Sequence, residues 1–84
     1  MADVVLMHTD DDVVVALRDL AAGETVTAVG VDPFVLRSDV PRGHKVARRP
    51  VPADALVHKY GQVIGVAAVE VGTGDHVHLH NLRM

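Results

Sequence analysis

The chain has 84 residues, a formal charge of −3 with its six histidines neutral, and 49% hydrophobic against 2% aromatic residues, with no cysteine and no tryptophan. That size holds one domain near the lower limit of an unaided core, and the missing cysteines exclude both a disulfide framework and a thiolate metal site. No apolar run nears the ~20 residues of a membrane span, MADVVLMHTDDD lacks a signal-peptide pattern, and the basic cluster Arg42 to Arg49 lacks interleaved aromatics, so a soluble cytoplasmic protein without nucleic-acid or membrane partners is expected.

Valine dominates the hydrophobic content, and β-branched side chains fit a pleated surface better than a helix. The fold class is therefore expected to be mainly β. Strands are predicted near residues 3 to 8, 12 to 18, 25 to 29, 34 to 37, 44 to 48, 56 to 58, 64 to 69 and 76 to 80. The continuous apolar run in DDVVVALRDL, residues 11 to 20, has no diagnostic period and also fits a short buried helix. Strand is preferred there, with a single helical turn between Asp19 and Gly23. Pro33, Pro41, Pro50 and Pro52 are expected at or beside corners.

One heptapeptide recurs: Leu20-Ala-Ala-Gly23-Glu-Thr-Val26, Val40-Pro-Arg-Gly43-His-Lys-Val46, Val51-Pro-Ala-Asp54-Ala-Leu-Val57 and Val71-Gly-Thr-Gly74-Asp-His-Val77. Gly, and less easily Asp, takes the positive φ of a tight turn, while the flanking aliphatics anchor both arms in a core. Val15-Ala16, Val46-Ala47 and Val66-Ala67 each begin five residues before such a unit, which suggests three strand-corner-strand units.

The chain closes with GDHVHLHNLRM. In a regular strand His76, His78 and His80 share one face, and neighbours ~6.7 Å apart at Cα can converge on one cation. His76 and His80 would lie ~13 Å apart, too far for all three to chelate easily. A metal would then take one adjacent pair and draw its remaining ligands from elsewhere in the chain or from a partner. Without a metal, clustered imidazoles can bind or protonate an anionic substrate, with Asn81 adding an amide donor. The plainer reading is an edge strand with a histidine-rich polar face. His44 follows a turn glycine and suits an anion or open solvent; Lys59 and Tyr60 suit a substrate carboxylate or a simple hairpin with a packed ring. Asp11 or Asp12 suits a solvated turn, an oxygen ligand or a partner that fixes a histidine tautomer. Ser38 has no glycine elbow around it and no phosphate loop is present, so the chain lacks a complete catalytic apparatus.

In order and spacing, Gly43-His44-Lys45, Lys59-Tyr60-Gly61 and Val77-His78-Leu79-His80-Asn81, with His8, Asp11-Asp12-Val13 and Ile64-Gly65, resemble the small N-terminal SAF-type domain of the altronate and galactarate dehydratases. The resemblance implies a β-clip fold and a part in metal-dependent lyases that eliminate water from sugar acids; a related pair of subunits removes sulfite from sulfolactate. It implies a large catalytic partner subunit and a divalent metal, iron(II). On that basis His78 and His80 are the catalytic candidates, His44, Lys45, Lys59, Tyr60 and Asn81 would bind substrate, and His76, His78 and His80 would hold the metal. Asp12, where the family more usually has asparagine, and Arg48-Arg49-Pro50 depart from the pattern. A non-catalytic ligand-binding or assembly module and a free-standing metal-binding domain stay open as alternatives, as does pairing of edge strands into a homo-oligomer.

Overall fold

The computed structural model describes residues 3–84. The path of the chain is set by its corners. Gly23, Gly43, Asp54 and Gly74 all have positive φ, at 89°, 85°, 68° and 90°, as the recurring heptapeptide requires. Their amides donate across to the carbonyls of Leu36, Ala16, Ala67 and Ala47 at 2.7–2.8 Å, and those four residues donate back to Glu24, His44, Ala55 and Asp75 at 2.9 Å. The corners therefore interlock in pairs, first with second and third with fourth. The leading aliphatics meet at the centre of each pair, as the antiparallel bridges Leu20↔Val40 and Val51↔Val71.

A shift of 31 residues carries the first pair onto the second. The three Val-Ala dipeptides noted in the sequence supply three of the four corner partners, and Val35-Leu36 supplies the fourth. The repeat is thus four corners in two interlocked pairs rather than three units.

Among the described residues, nine short strands join these corners: β1 (Val4–Val5), β2 (Val13–Ala16), β3 (Thr25–Ala28), β4 (Val31–Val35), β5 (Lys45–Ala47), β6 (Leu56–Lys59), β7 (Gln62–Ala67), β8 (His76–Val77) and β9 (Leu82–Arg83). They form an antiparallel sheet in the order β1-β2-β5-β8, a ribbon β3-β4 and a sheet β6-β7-β9. The central strands β2 and β5 serve two cores by their pleat. Val14 and Val46 enter a cluster with Leu20, Val26, Phe34, Leu36 and Val40. Val13 and Ala47 enter another with Val51, Val57, Val71 and Val77. The eight aliphatics flanking the corners are all buried, none above 3% exposure, which is how small branched side chains replace aromatics in this core.

The mainly β class holds, and the ambiguous run 11 to 20 is strand β2 rather than helix. Residues Asp19 to Gly23 form no helical turn: Leu20 is fixed by its bridge to Val40, and the chain turns at Ala22 and Gly23. Pro33 lies inside β4 instead of at a corner. The β3-β4 pairing shifts register between Val26 and Ala28, and a two-stranded ribbon leaves one edge where a missing N–H costs nothing. The predicted strand 76 to 80 ends at Val77, and the unforeseen β9 follows a turn over His78–Asn81. No helix among the described residues is long and apolar enough to cross a membrane.

The corners differ in how much room they leave. A Cβ on Gly23 would meet nothing within 4 Å, whereas one on Gly74 would collide with the Val35 carbonyl oxygen. Gly23→Ala is expected to cost only the left-handed backbone penalty of ~1–2 kcal/mol. Gly74→Ala should lower the urea midpoint clearly further, because the opposing atom is backbone and cannot swing away.

Candidate functional site

The register of the main sheet creates the site. Lys45 pairs with Val77 and Val46 with His76, so one step further along the same ladder His44 stands opposite His78. His44, His76 and His78 thus occupy two rows of one sheet face, and their rings converge. The His44–His78 ring centroids are 4.6 Å apart, the His44–His76 centroids 5.1 Å, and the His76 and His78 rings stack at 5.5 Å with 9° between planes. His44 Nδ1 and His76 Nε2 lie 2.9 Å apart and share one hydrogen. Among the described residues, these three side chains bring one donor nitrogen each to within 4.8 Å of the others.

The turn after Val77 brings in the fourth imidazole. Asn81 is 5% exposed; its side-chain oxygen accepts the His78 N–H at 2.9 Å and its amide donates to the His76 carbonyl at 2.8 Å. The Asn81 and Leu82 amides donate to the His78 carbonyl. This fold-back replaces the straight strand assumed from sequence, and it puts the exposed His80 ring 5.5 Å from that of His76. Asn81 spends its amide on backbone and builds the site from beneath.

Electrostatics favours neutral imidazoles here. Burial, followed by the neighbouring His44, His80, His78 and Lys45, holds His76 below the usual histidine range. His78 is lowered by desolvation first and then by His44, Lys45 and His80. Lys45, half-buried on β5, is also pushed down, by burial and then by Lys59. No carboxylate is among the groups that act on His78 or Lys45. A cluster of this kind repels a second proton and leaves nitrogen lone pairs free.

A second set of groups holds the neighbouring loop. Tyr60 and Gly61 have φ of 57° and 71°, the two-residue turn of a tight hairpin between β6 and β7. The fully buried Asp11 carboxylate accepts both of their amides, at 2.9 and 2.7 Å. The His8 ring lies 3.0 Å from where a Gly61 Cβ would stand. The hairpin is as expected, but the Tyr60 ring is not packed: the residue is 58% exposed, and Lys59 Nζ sits 5.3 Å from the ring centroid.

Asp12 accepts from Arg49 Nε at 2.9 Å, from the His58 amide at 2.8 Å and from His58 Nδ1 at 3.0 Å. It therefore fixes one tautomer of His58, since a carboxylate can only accept. Arg48 and Arg49 donate to the carbonyls of Thr9, Asp10 and Asp11. The acidic triplet and the basic pair are one clamp. His58, which lies 46 residues from Asp12, carried no local signal in the sequence.

The structure thus brings His44, His76 and His78 together, with His80 and Lys45 beside them and Lys59 acting on Lys45. It leaves Tyr60 exposed on the adjoining hairpin and Asn81 beneath the turn.

The profile of the altronate/galactarate dehydratase SAF domain matches residues 2–84. Altronate dehydratase of Escherichia coli is 47% identical over 92% of this chain, and altronate dehydratase of Bacillus subtilis 36% identical over 99%. The chain spans 15% and 16% of the length of those two relatives. It is also 34% identical to the (2R)-sulfolactate sulfo-lyase subunit alpha of Chromohalobacter salexigens, over 96% of this chain and 93% of that subunit.

Burial pushes the Asp12 carboxyl up, but hydrogen bonds from His58 and Arg49 outweigh it and hold the group below its ordinary value of 3.8. A depressed folded pKa contributes stability above the unfolded value, which is lost as pH falls through the folded one. Asp12→Asn should therefore destabilise the chain at pH 7, and the gap to wild type should shrink as the pH drops below 3.8. Chemical unfolding across pH 2 to 7 checks this; a gap independent of pH would mean that the charge of Asp12 contributes nothing.

Proposed function

The chain belongs to the altronate/galactarate dehydratase SAF-domain family, and from that premise we propose that it completes the active site of a large catalytic lyase subunit. The single observation that carries this reading is the convergence of four imidazoles on the face shared by His44, His76 and His78. The reaction is elimination from an acidic sugar derivative, with altronate or galactarate as substrate. The protein works in the cytoplasm, and its large partner supplies the groups that this chain lacks.

In that reaction a base removes the proton next to the substrate carboxylate, and the neighbouring hydroxyl leaves as water once it takes a proton. His78 and His80 are the candidates for the proton donor, because both lie on the turn that ends the chain's extended tail, with their rings against those of His44 and His76. Lys45 and Lys59 supply positive charge, and His44 a hydrogen bond, to the substrate carboxylate, and Tyr60 meets the same ligand from the exposed hairpin. Asn81 acts by holding the backbone of His76 and His78. The donor set is nitrogen-only, which suits a divalent transition metal such as iron(II). When bound, such an ion withdraws electron density from a coordinated substrate oxygen.

Similarity to a sulfo-lyase alpha subunit supports a second reading, in which the leaving group is sulfite rather than water. The two differ at the carbon that loses its substituent and share the same proton abstraction.

Mixing the chain with the large dehydratase subunit of its own source should give a stable complex and turnover of a sugar acid that neither component shows alone. His78→Ala or His80→Ala should lower kcat by ~10²–10⁴-fold if that imidazole is the proton donor, with complex formation retained. Turnover of sulfolactate but not of altronate or galactarate would select the second reading; full turnover by both variants would remove these side chains from the chemistry.

A further inference from the structure

We propose that His44, His76 and His78 form a tridentate site, complete within this one chain, for a late divalent transition metal of the zinc, nickel and cobalt type, and that His80 is not one of its ligands. The inference deepens the metal expectation of the preceding section, but it does not need the large partner.

From sequence, one adjacent pair of the tail histidines was expected to draw its remaining ligands from elsewhere in the chain or from a partner, while the resemblance implied His76, His78 and His80 together. The structure regroups them. Because β8 ends at Val77 and pairs with β5, the third donor comes from across the sheet, at His44, rather than from further along the strand. Its neighbours on both sides are fixed by backbone. His44 follows the positive-φ Gly43 corner, and its amide and carbonyl both bond, to Pro41 and Ala16. His76 is set in the β5 ladder, and His78 is tied by Asn81. The three donors are therefore carried on rigid elements already within 4.8 Å of one another. Small side-chain rotations bring them to the ~2.0–2.1 Å that an imidazole keeps from zinc. His80 stands three residues beyond the last strand residue of β8, on the exposed turn.

The chemistry of the donors decides which ion fits. The converging side chains are three imidazoles and no carboxylate, so they offer nothing to magnesium or calcium, which demand oxygen. Affinity should instead rise from cobalt to nickel, as imidazole sites generally order the divalent series. Three neutral ligands also leave the ion its full charge beside Lys45, so an open position facing solvent would take an anion rather than a fourth protein group.

The test uses the intact chain alone. Isothermal titration with zinc, nickel and cobalt should give one site per chain, with magnesium and calcium at least ~100-fold weaker. His44→Ala, His76→Ala and His78→Ala should each weaken zinc by ~100-fold or more, and His80→Ala by less than ~10-fold. Circular dichroism shows whether each variant is folded. Should His76→Ala or His78→Ala unfold, X-ray absorption at the zinc edge of the wild-type chain counts the imidazoles directly, and three are expected. Equal binding of magnesium, a loss for His80→Ala as large as that for His44→Ala, or binding of tartrate by the metal-free chain with no affinity for any of the three metals would each overturn the proposal. Failure of the lyase reading would appear as no turnover with the partner and would leave these binding constants unchanged.

Discussion

The whole molecule rests on the positive-φ corner and the bond its amide makes to a distant strand. A residue in the left-handed region reverses the chain in the least length, but it also exposes amide and carbonyl groups that no helix or ladder will satisfy. Here each corner solves the problem for another. The Gly23 and Gly43 corners exchange bonds with the segments that lead into each other, and Asp54 and Gly74 repeat the exchange. Through this mutual bonding the leading aliphatics are brought together and buried. Valine suffices as core material because the backbone, not side-chain bulk, brings the segments into contact.

That arrangement also explains why a clamp is needed on one side. The β6-β7 hairpin is an outlying loop with both turn amides directed inward, and the Asp11 carboxylate is what satisfies them. Asp11 can be buried because the loop that carries it is fastened by Arg48 and Arg49, whose donors take up its carbonyls. Charge pairs of this type add little when exposed. Asp12 is buried and pairs with Arg49, and the other donors of Arg48 and Arg49 bond backbone carbonyls, so here the arginines bind a loop to a corner and carry a hairpin with them.

The histidine face grows from the same register. A corner at Gly43 delivers His44 just before β5, and a corner at Gly74 delivers His76 at the start of β8. Because β5 and β8 are antiparallel neighbours, the first imidazole of one strand meets those of the other. Lys45, one residue later, points to the opposite side of the pleat at its backbone, yet its charge still lowers the affinity of His76 and His78 for protons. His76 and His78 are thus held toward the neutral form by burial and by the imidazoles and lysine around them.

Local constraints were readable in the sequence. The heptapeptide located the positive-φ residue of each of the four corners, including the non-glycine Asp54, since φ sign depends on a residue and its nearest neighbours. Valine content and the absence of long amphipathic periods determined the strand class, and the residue motifs of the tail, the lysine-tyrosine hairpin and the Gly43 corner marked the segments that carry the site. Pairing was not readable, because it depends on which carbonyl lies across the sheet. Nothing near His80 in the chain reveals that Asn81 folds back to stop the strand, nor does anything near His44 reveal that it stands opposite His78. Likewise Asp12 and His58 meet across 46 residues, and the arginines after β5 meet the acidic loop before β2. The sequence by itself determined which residues turn and which are buried; the tertiary structure alone decided which imidazoles face one another, because convergence of side chains is a property of register between strands, and register is settled by the interlocked corners.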